Sequence, residues 1–491
     1  MKRLYLFSNF CLSLTLALLT TQPVKAEPSV RIIRGSEPTD LPKRSTPVLS
    51  YLNPSPNPVR LPTKPEEVQL LEAQPISSQQ ALELALRNSP ELRAAQLNVE
   101  SSDAALREVQ AAEYPTLGLS TSINNNGSYI FSDKPISLSQ QNTNSTDLSG
   151  GLELKYDLFT SGRRSATIQQ ARERLRNVRL DFERIRDELR LKVFTAYYDL
   201  QQADQNVRIQ QTAVTNAQAS LRNAQALKEA GMGTRLDVLT SQVEVGQANQ
   251  NLANALSQQR ISRRELATLI SLPETEIITP ADPVEIAGVW NLSLEQSIDQ
   301  ALKNRPEPQQ QLAQRNIQQQ ERRIALSAQG PQIGLSATYK PNLSLSGNDN
   351  SNSQQNQDFT DQYALVAEVS LSLFDGGAAR AKARQAKAKE EIAEANFADQ
   401  RNQIRLEVER AHSQLQSNSE NIETATAALK QAQEALELAT LKFKARVGTQ
   451  TEVIDAQNRL TQAEGNRVNA ILSYNRFLAQ LQRAISFSQQ G

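Results

Sequence analysis

Two hydrophobic rhythms alternate along this chain. Over residues 163–230 and 378–447 there is neither proline nor glycine, leaving 68 and 70 residues of uninterrupted helix-compatible sequence. Apolar residues recur there every seven positions, at Leu200, Val207, Val214 and Leu221, with Ala203, Ala217 and Ala224 between them. Leu415, Ile422, Leu429, Leu436 and Phe443 do the same later, with Ala425, Ala432 and Ala439. A seven-residue period implies helices supercoiled left-handed on neighbours, and alanine in the seam lets backbones approach closely. At ~1.5 Å per residue each stretch reaches roughly 100 Å, too long for a compact domain. Each is expected to end at a glycine turn, Gly231-Met232-Gly233 or Gly448, with a return helix running to about residue 270 or 485.

The second rhythm has period two. Leu117, Leu119, Thr121 and Ile123 alternate with polar residues, as do Leu148, Gly150, Leu152, Leu154, Tyr156 and Leu158. Ile333, Leu335, Ala337 and Tyr339, then Tyr363, Leu365, Ala367, Val369, Leu371 and Leu373, repeat the pattern. Alternation over about ten residues suits a membrane β-strand with one face to lipid. The polar stretches Asn124 to Gly127 and Asn348 to Gln357 are expected as exposed loops between paired strands. A helix of about 35 residues is expected before each pair, near 78–113 and 293–329.

These parts occur twice at a nearly constant offset. Ala85-Leu86-Arg87-Asn88-Ser89-Pro90-Glu91 returns 216 residues later as Ala301-Leu302-Lys303-Asn304-Arg305-Pro306-Glu307. Pro115 and Gly118 return as Pro331 and Gly334, Leu158-Phe159 as Leu373-Phe374, and Gly233-Thr234 as Gly448-Thr449. The body is therefore a duplication. Its first unit spans 76–272, a linker 273–291, the second unit 292–485 and a short tail 486–491.

Composition adds what precedes the body. Lys2 and Arg3, an apolar run around Leu12 to Leu19 and Val24-Lys25-Ala26 read as a cleaved secretory signal over 1–26. Cys11, the only cysteine, leaves with it, so the mature chain has no disulfide or thiolate ligand. Residues 27–75 hold ten prolines and read as an extended segment. The mature chain carries 50 basic against 53 acidic residues, which gives no reason to expect nucleic acid as a partner. No later run is long and apolar enough for a transmembrane helix.

The implied fold is mainly α with a small membrane β part: duplicated long helical hairpins plus two β-hairpins per chain. Four strands cannot close a barrel, and open edges are not tolerated in lipid. Three copies would supply twelve strands and twelve long helices, closing a 12-stranded β-barrel above an α-helical tunnel.

On these features the chain resembles the TolC family of outer-membrane efflux proteins over residues 76–485. The carrying motifs are the duplicated helix–strand–strand–helix–helix plan and two in-register turns. They are Gly231-Met232-Gly233-Thr234-Arg235-Leu236-Asp237-Val238-Leu239 and Val447-Gly448-Thr449-Gln450-Thr451-Glu452-Val453-Ile454-Asp455-Ala456-Gln457. The resemblance implies a homotrimeric exit duct in the outer membrane, bounded by its lipid, with a long periplasmic extension. Such a duct serves tripartite efflux or type I secretion with a periplasmic adaptor and an inner-membrane pump of the RND or ABC kind. It also implies that the hairpin tips close the periplasmic mouth. Glu452 and Asp455, three residues apart on one helix face, would form carboxylate rings there. Asp237 matches Glu452 in the first unit, whereas Thr240 matches Asp455. The family pattern has two more residues between the Gly-Thr and the last carboxylate than this sequence has. Gly233, Thr234, Arg235, Gly448 and Thr449 would dock the adaptor; read without the family, the glycines and threonines are helix caps and the acids ordinary first-turn residues.

Other features are bland. The nine arginines of 163–190 alternate with acids and suit an ion-paired helix face. His412, the only histidine, matches Tyr197 and is expected to pack or to lie at the surface. No phosphate-binding glycine loop, nucleophile elbow or metal-spaced cluster occurs, so neither an enzyme nor a cofactor is expected. Competing readings are a periplasmic adaptor, which would hold one hairpin between β-domains, and a coiled-coil surface protein, which would lack paired strands.

Overall fold

A computed structural model describes residues 73–130, 141–272, 277–348 and 356–486. The expected signal segment, nearly all of the proline-rich segment, linker residues 273–276, the hairpin connections 131–140 and 349–355, and the last five residues lie outside the described residues.

Each unit opens with two helices where the sequence suggested one. In the first unit α1 (Ser78–Asn88) is followed by α2 (Pro90–Gln110). In the second, α5 (Leu294–Asn304) is followed by α6 (Pro306–Ser327). The break has one cause in both. Pro90 and Pro306 clash with a helical residue before them, so Ser89 (ψ 119) and Arg305 (ψ 137) are extended and each proline takes the first helical position. Reciprocal capping boxes start the short helices, Ser77 with Gln80 and Ser293 with Gln296.

The strands are longer than their apolar alternation. β2 (Thr116–Ile130) pairs with β3 (Gln141–Phe159), and β5 (Gln332–Asn348) pairs with β6 (Asn356–Ser370). Joined through β3 and β5, they form one antiparallel sheet in the order β2-β3-β5-β6. Asn124 to Gly127 are thus not a loop but part of β2, paired with Asp147 to Asn144. Backbone hydrogen bonding continues beyond the last apolar row, because an antiparallel ladder needs no apolar side chains. Leu371 and Leu373, expected in the last strand, lie beyond its end. A separate two-stranded parallel sheet joins β1 (Ala73–Ile76) to β4 (Ile277–Pro280).

The long helices form as the sequence implies. α3 (Arg163–Glu229) and α7 (Ala378–Lys444) have 67 residues each, and return helices α4 (Arg235–Leu269) and α8 (Gln450–Ala484) have 35 each. On the strand side the helices neighbour one another as α2-α3-α6-α7; on the tip side they do so as α4-α3-α8-α7. α3 is therefore flanked on both sides throughout, whereas α7 is an edge throughout. Burial follows from this. Leu200, Val207 and Val214 are buried, while Ile422, Leu429 and Leu436 of the second seam remain half-exposed.

Midway along the long helices lies the polar centre of the fold. Tyr197, fully buried, donates to the Ile76 carbonyl (3.1 Å) and accepts from the Asp282 N–H (3.2 Å). Its counterpart His412 is half-exposed. Arg305, with a side chain 2% exposed, donates to both Glu307 oxygens at 3.1 and 2.7 Å and pairs with Glu407. Arg483 bonds Glu307 at 2.7 Å and lies 3.5 Å from Glu188, so four helices meet at one ion cluster. Ion pairing also holds along the arginine-rich part of α3, where Arg184 contacts Asp181 and Glu188 at 2.9 and 2.8 Å.

Candidate functional site

Two surfaces carry the chemistry of this chain: the sheet and the hairpin tips. In the sheet, register sorts side chains cleanly. Leu117, Leu154, Ala337 and Leu365 form one cross-strand row; Leu119, Leu152, Tyr339 and Tyr363 form the next; Ile123, Leu148, Leu343 and Phe359 form another. Many of these are exposed, Leu119 at 73% and Tyr363 at 89%. On the opposite face the corresponding rows are Gly118, Glu153, Thr338 and Ala364, and Ser122, Ser149, Asn342 and Thr360. One face is thus apolar and uncovered, the other polar. Among the described residues, the outer edges of β2 and β6 are unpaired. An exposed apolar face is costly in water, and an open edge is costly in lipid.

Both tips are built on capping. Ala230 ends α3 with Gly231 left-handed (φ 72), and Met232 N–H reaches back to the Leu227 carbonyl at 2.8 Å. A side chain at Gly233 would sit 3.0 Å from the Lys228 backbone nitrogen, so the turn needs glycine there. Thr234 Oγ1 accepts from the Asp237 N–H (3.1 Å), and the Asp237 carboxylate accepts from the Thr234 N–H (2.9 Å) and hydroxyl (2.6 Å). Those bonds, the hydroxyl's first and the backbone's next, hold the Asp237 carboxyl below its ordinary range.

The second tip differs. Arg446 occupies the left-handed position (φ 65) that Gly231 fills in the first, and Val447 N–H bonds the Lys442 carbonyl at 3.0 Å. Thr449 caps α8 by accepting from the Glu452 N–H (3.2 Å), with no reciprocal bond to the threonine backbone. Glu452 and Asp455 are exposed, whereas Val453, Ile454 and Ala456 between and beside them are buried. Among the described residues no cation stands within ion-pair distance of either carboxylate. The structure thus places Glu452 and Asp455 on one free face and Asp237 in a capping box. Arg235 follows the first cap and is exposed. The left-handed Arg446 and the buried ion cluster were not singled out from sequence. An arginine aligned with Gly231 was the available signal for the first; the second joins residues too far apart to be seen.

A sheet with one lipid-compatible face, set on helical hairpins of about 67-residue reach, defines the protomer of a membrane channel with a helical extension. The outer membrane efflux protein family model matches residues 81–271 and 297–486, one match per unit. The chain belongs to that family, and it is an outer-membrane protein whose family and fold are those of channels. A pyoverdine export outer membrane protein, OpmQ of Pseudomonas putida, is 26% identical over 84% of this chain and 86% of its own length. The outer membrane efflux protein BepC of Brucella suis is 27% identical, but that match spans only 35% of BepC. Among solved structures, the CmeC outer membrane channel of Campylobacter jejuni superposes with a TM-score of 0.69 at 16% identity, covering 90% of this chain and 96% of that one. VceC of Vibrio cholerae gives 0.67 at 19% identity, covering 83% and 95%.

Proposed function

We propose that three copies of this chain close into a passive exit duct, a β-barrel in the outer membrane continued by a periplasmic helical tunnel. The observation that carries the reading is the sheet: four strands, one apolar face, one polar face and two free edges. Residues 1–26 act as its export signal. The duct works in tripartite efflux or type I secretion, with the driving energy supplied by an inner-membrane pump of the RND or ABC kind. A periplasmic adaptor docks at Gly233, Thr234, Arg235, Gly448 and Thr449, where the glycines allow close backbone approach.

The periplasmic mouth is gated by carboxylates of the tips. Glu452 and Asp455 project from one face of α8, so three copies stack two rings of three negative charges. Like charges crowded in a neck repel one another, concentrate cations and exclude anions. Asp237 adds charge from the first tip.

The test is conductance in a planar bilayer, wild type against Asp455→Ala. Small cation-selective currents that enlarge or lose selectivity in the variant support both duct and gate. Unchanged currents move the gate elsewhere. A protein that is soluble without detergent and never inserts overturns the channel and favours an adaptor.

A further inference from the structure

The start of α7 runs against the usual electrostatics of a helix. The first turns of a helix favour acids and disfavour cations. Yet residues 378–389 hold Arg380, Lys382, Arg384, Lys387 and Lys389 and no acid. All five are exposed. Of the five, only Lys387 has an ion-pair partner among the described residues, Glu391 at 3.6 Å. Asp375, just ahead of the helix, spends its carboxylate on the N–H groups of Gly377 and Ala379, both at 2.8 Å.

Packing does not account for these cations. α7 buries Ala379, Ala383 and Ala386 on the side of its neighbour α6. At about 100° per residue the opposite side presents Ala381, Ala388 and Ile392. Ile392 is 57% exposed, and this small apolar strip is where an adjoining copy would sit. The cations occupy the two remaining flanks: Arg380, Arg384 and Lys387 on one, Lys382 and Lys389 on the other.

What lies just before the helix identifies the partner. Leu373 and Phe374, between the end of β6 and the start of α7, are each 90% exposed. An uncovered apolar surface that ends in a collar of exposed cations matches the boundary between hydrocarbon and phosphate headgroups. The headgroup layer is about 5–8 Å deep on each side of a bilayer, and Arg380, Lys382 and Arg384 fall within about 10 Å of the helix start. The first unit has the same order but commits its leading cations. Arg163 pairs with Asp157 at 3.3 Å, and Arg164 stacks 5.3 Å over the Tyr156 ring.

We propose that the exposed cations at the start of α7 bind the phosphates of anionic phospholipids in the membrane leaflet nearest the helices. This rests on the outer-membrane channel reading. One flank faces lipid and the other the lumen, so only one set of cations is used.

The experiment is native mass spectrometry of detergent-purified full-length protein offered equal amounts of phosphatidylglycerol and phosphatidylcholine. Wild type should retain phosphatidylglycerol by about tenfold or more, since each cation near an anionic surface is worth roughly fivefold. One of the two variants, R380Q/R384Q/K387Q or K382Q/K389Q, should fall to near parity while the other keeps the preference. The mid-helix control R401Q/R410Q/K430Q should also keep it. Absence of the preference in wild type, or its survival in both flank variants, overturns the proposal. So does dissociation of a flank variant into monomers before any lipid is added, which would assign the cations to an adjoining copy. Failure of the channel reading looks different: the wild type would then neither need detergent nor conduct.

Discussion

Replacing Glu307 by glutamine tests whether the buried ion cluster holds the two ends of the second unit together. The Glu307 side chain is 11% exposed and receives both Arg305 and Arg483. Burial alone would raise its carboxyl, but the Arg305 hydrogen bonds and charge, helped by Arg483, outweigh it and hold the carboxyl at about 2. Set against the ordinary 4.5, that depression corresponds to about 3 kcal/mol of folded-state stabilisation. The sign follows from the direction. A depressed carboxyl contributes fully above 4.5, and its contribution fades as pH falls toward about 2. Glu307→Gln also strands Arg305, which is 2% exposed and keeps only Glu407. Breaking one side of a buried pair costs about 3–5 kcal/mol, in agreement with the first figure. Serine is no substitute for Arg305. Ser89 caps α2 by accepting from the Leu92 N–H at 3.2 Å, whereas the matching residue in α6 is Pro308, which has none. Arg305→Met combined with Glu307→Gln instead removes both charges, and should recover most of the loss. The assay is denaturant unfolding in detergent followed by Trp290, the only tryptophan, which packs on the core cluster of α7 and α8. A double variant as unstable as Glu307→Gln alone would refute the reasoning, because the stranded arginine would then not be the cause.

Three further outcomes follow from single contacts. Tyr197→Phe leaves the Asp282 N–H without its partner, while the Ile76 carbonyl keeps the Ala281 N–H at 2.9 Å, and should cost about 1–3 kcal/mol, read in the same unfolding assay. Leu119→Arg, on the apolar face, should cost about 2–4 kcal/mol and block assembly in membranes, whereas Ser122→Arg on the opposite face should insert and alter conductance; heat-stable oligomer on gels separates the two. Asp237→Asn should weaken the first tip by about 1 kcal/mol, seen as faster hydrogen exchange over residues 234–238, with the global unfolding midpoint unmoved.

The architecture was legible where a physical rule is local. Proline- and glycine-free runs gave the 67-residue helices to within a turn, and period-two alternation located all four strands of the large sheet. Strand lengths were not legible, because Asn124 to Gly127 pair through backbone alone while their side chains read as a loop. The helix break at Pro90 and Pro306 was legible in principle, but apolar spacing continues across it and masked the boundary. At the tips, Thr234 to Asp237 has capping-box spacing, yet sequence cannot say that the Asp237 carboxylate is committed while Glu452 and Asp455 stay free. The ion cluster joins Glu188, Arg305, Glu307, Glu407 and Arg483, which no window of sequence contains.

Duplication gives this chain two similar halves, but their positions make the halves unequal, and that inequality argues for the number of copies. α3 has a neighbour on each side, while α7 and α4 are left as opposite edges on the tip side. Both edges keep apolar residues uncovered near the tips: Leu236, Leu239 and Val243 on α4 at 70, 47 and 71%, and Leu438 and Leu441 on α7 at 55 and 54%. One edge cannot cover itself, but it can cover the other edge of the next copy, a head-to-tail contact that repeats until the ring closes. The sheet has the same polarity, with β2 at one end and β6 at the other. Two copies would make eight strands, a barrel whose interior is filled by its own side chains. Three would make twelve, and the polar face, which carries Glu153, Lys155, Lys340 and Glu368 beside its glycines and serines, would then line a passage instead of a core. The polar face is informative here because charged side chains suit a wet passage better than a filled interior, where each would need a partner.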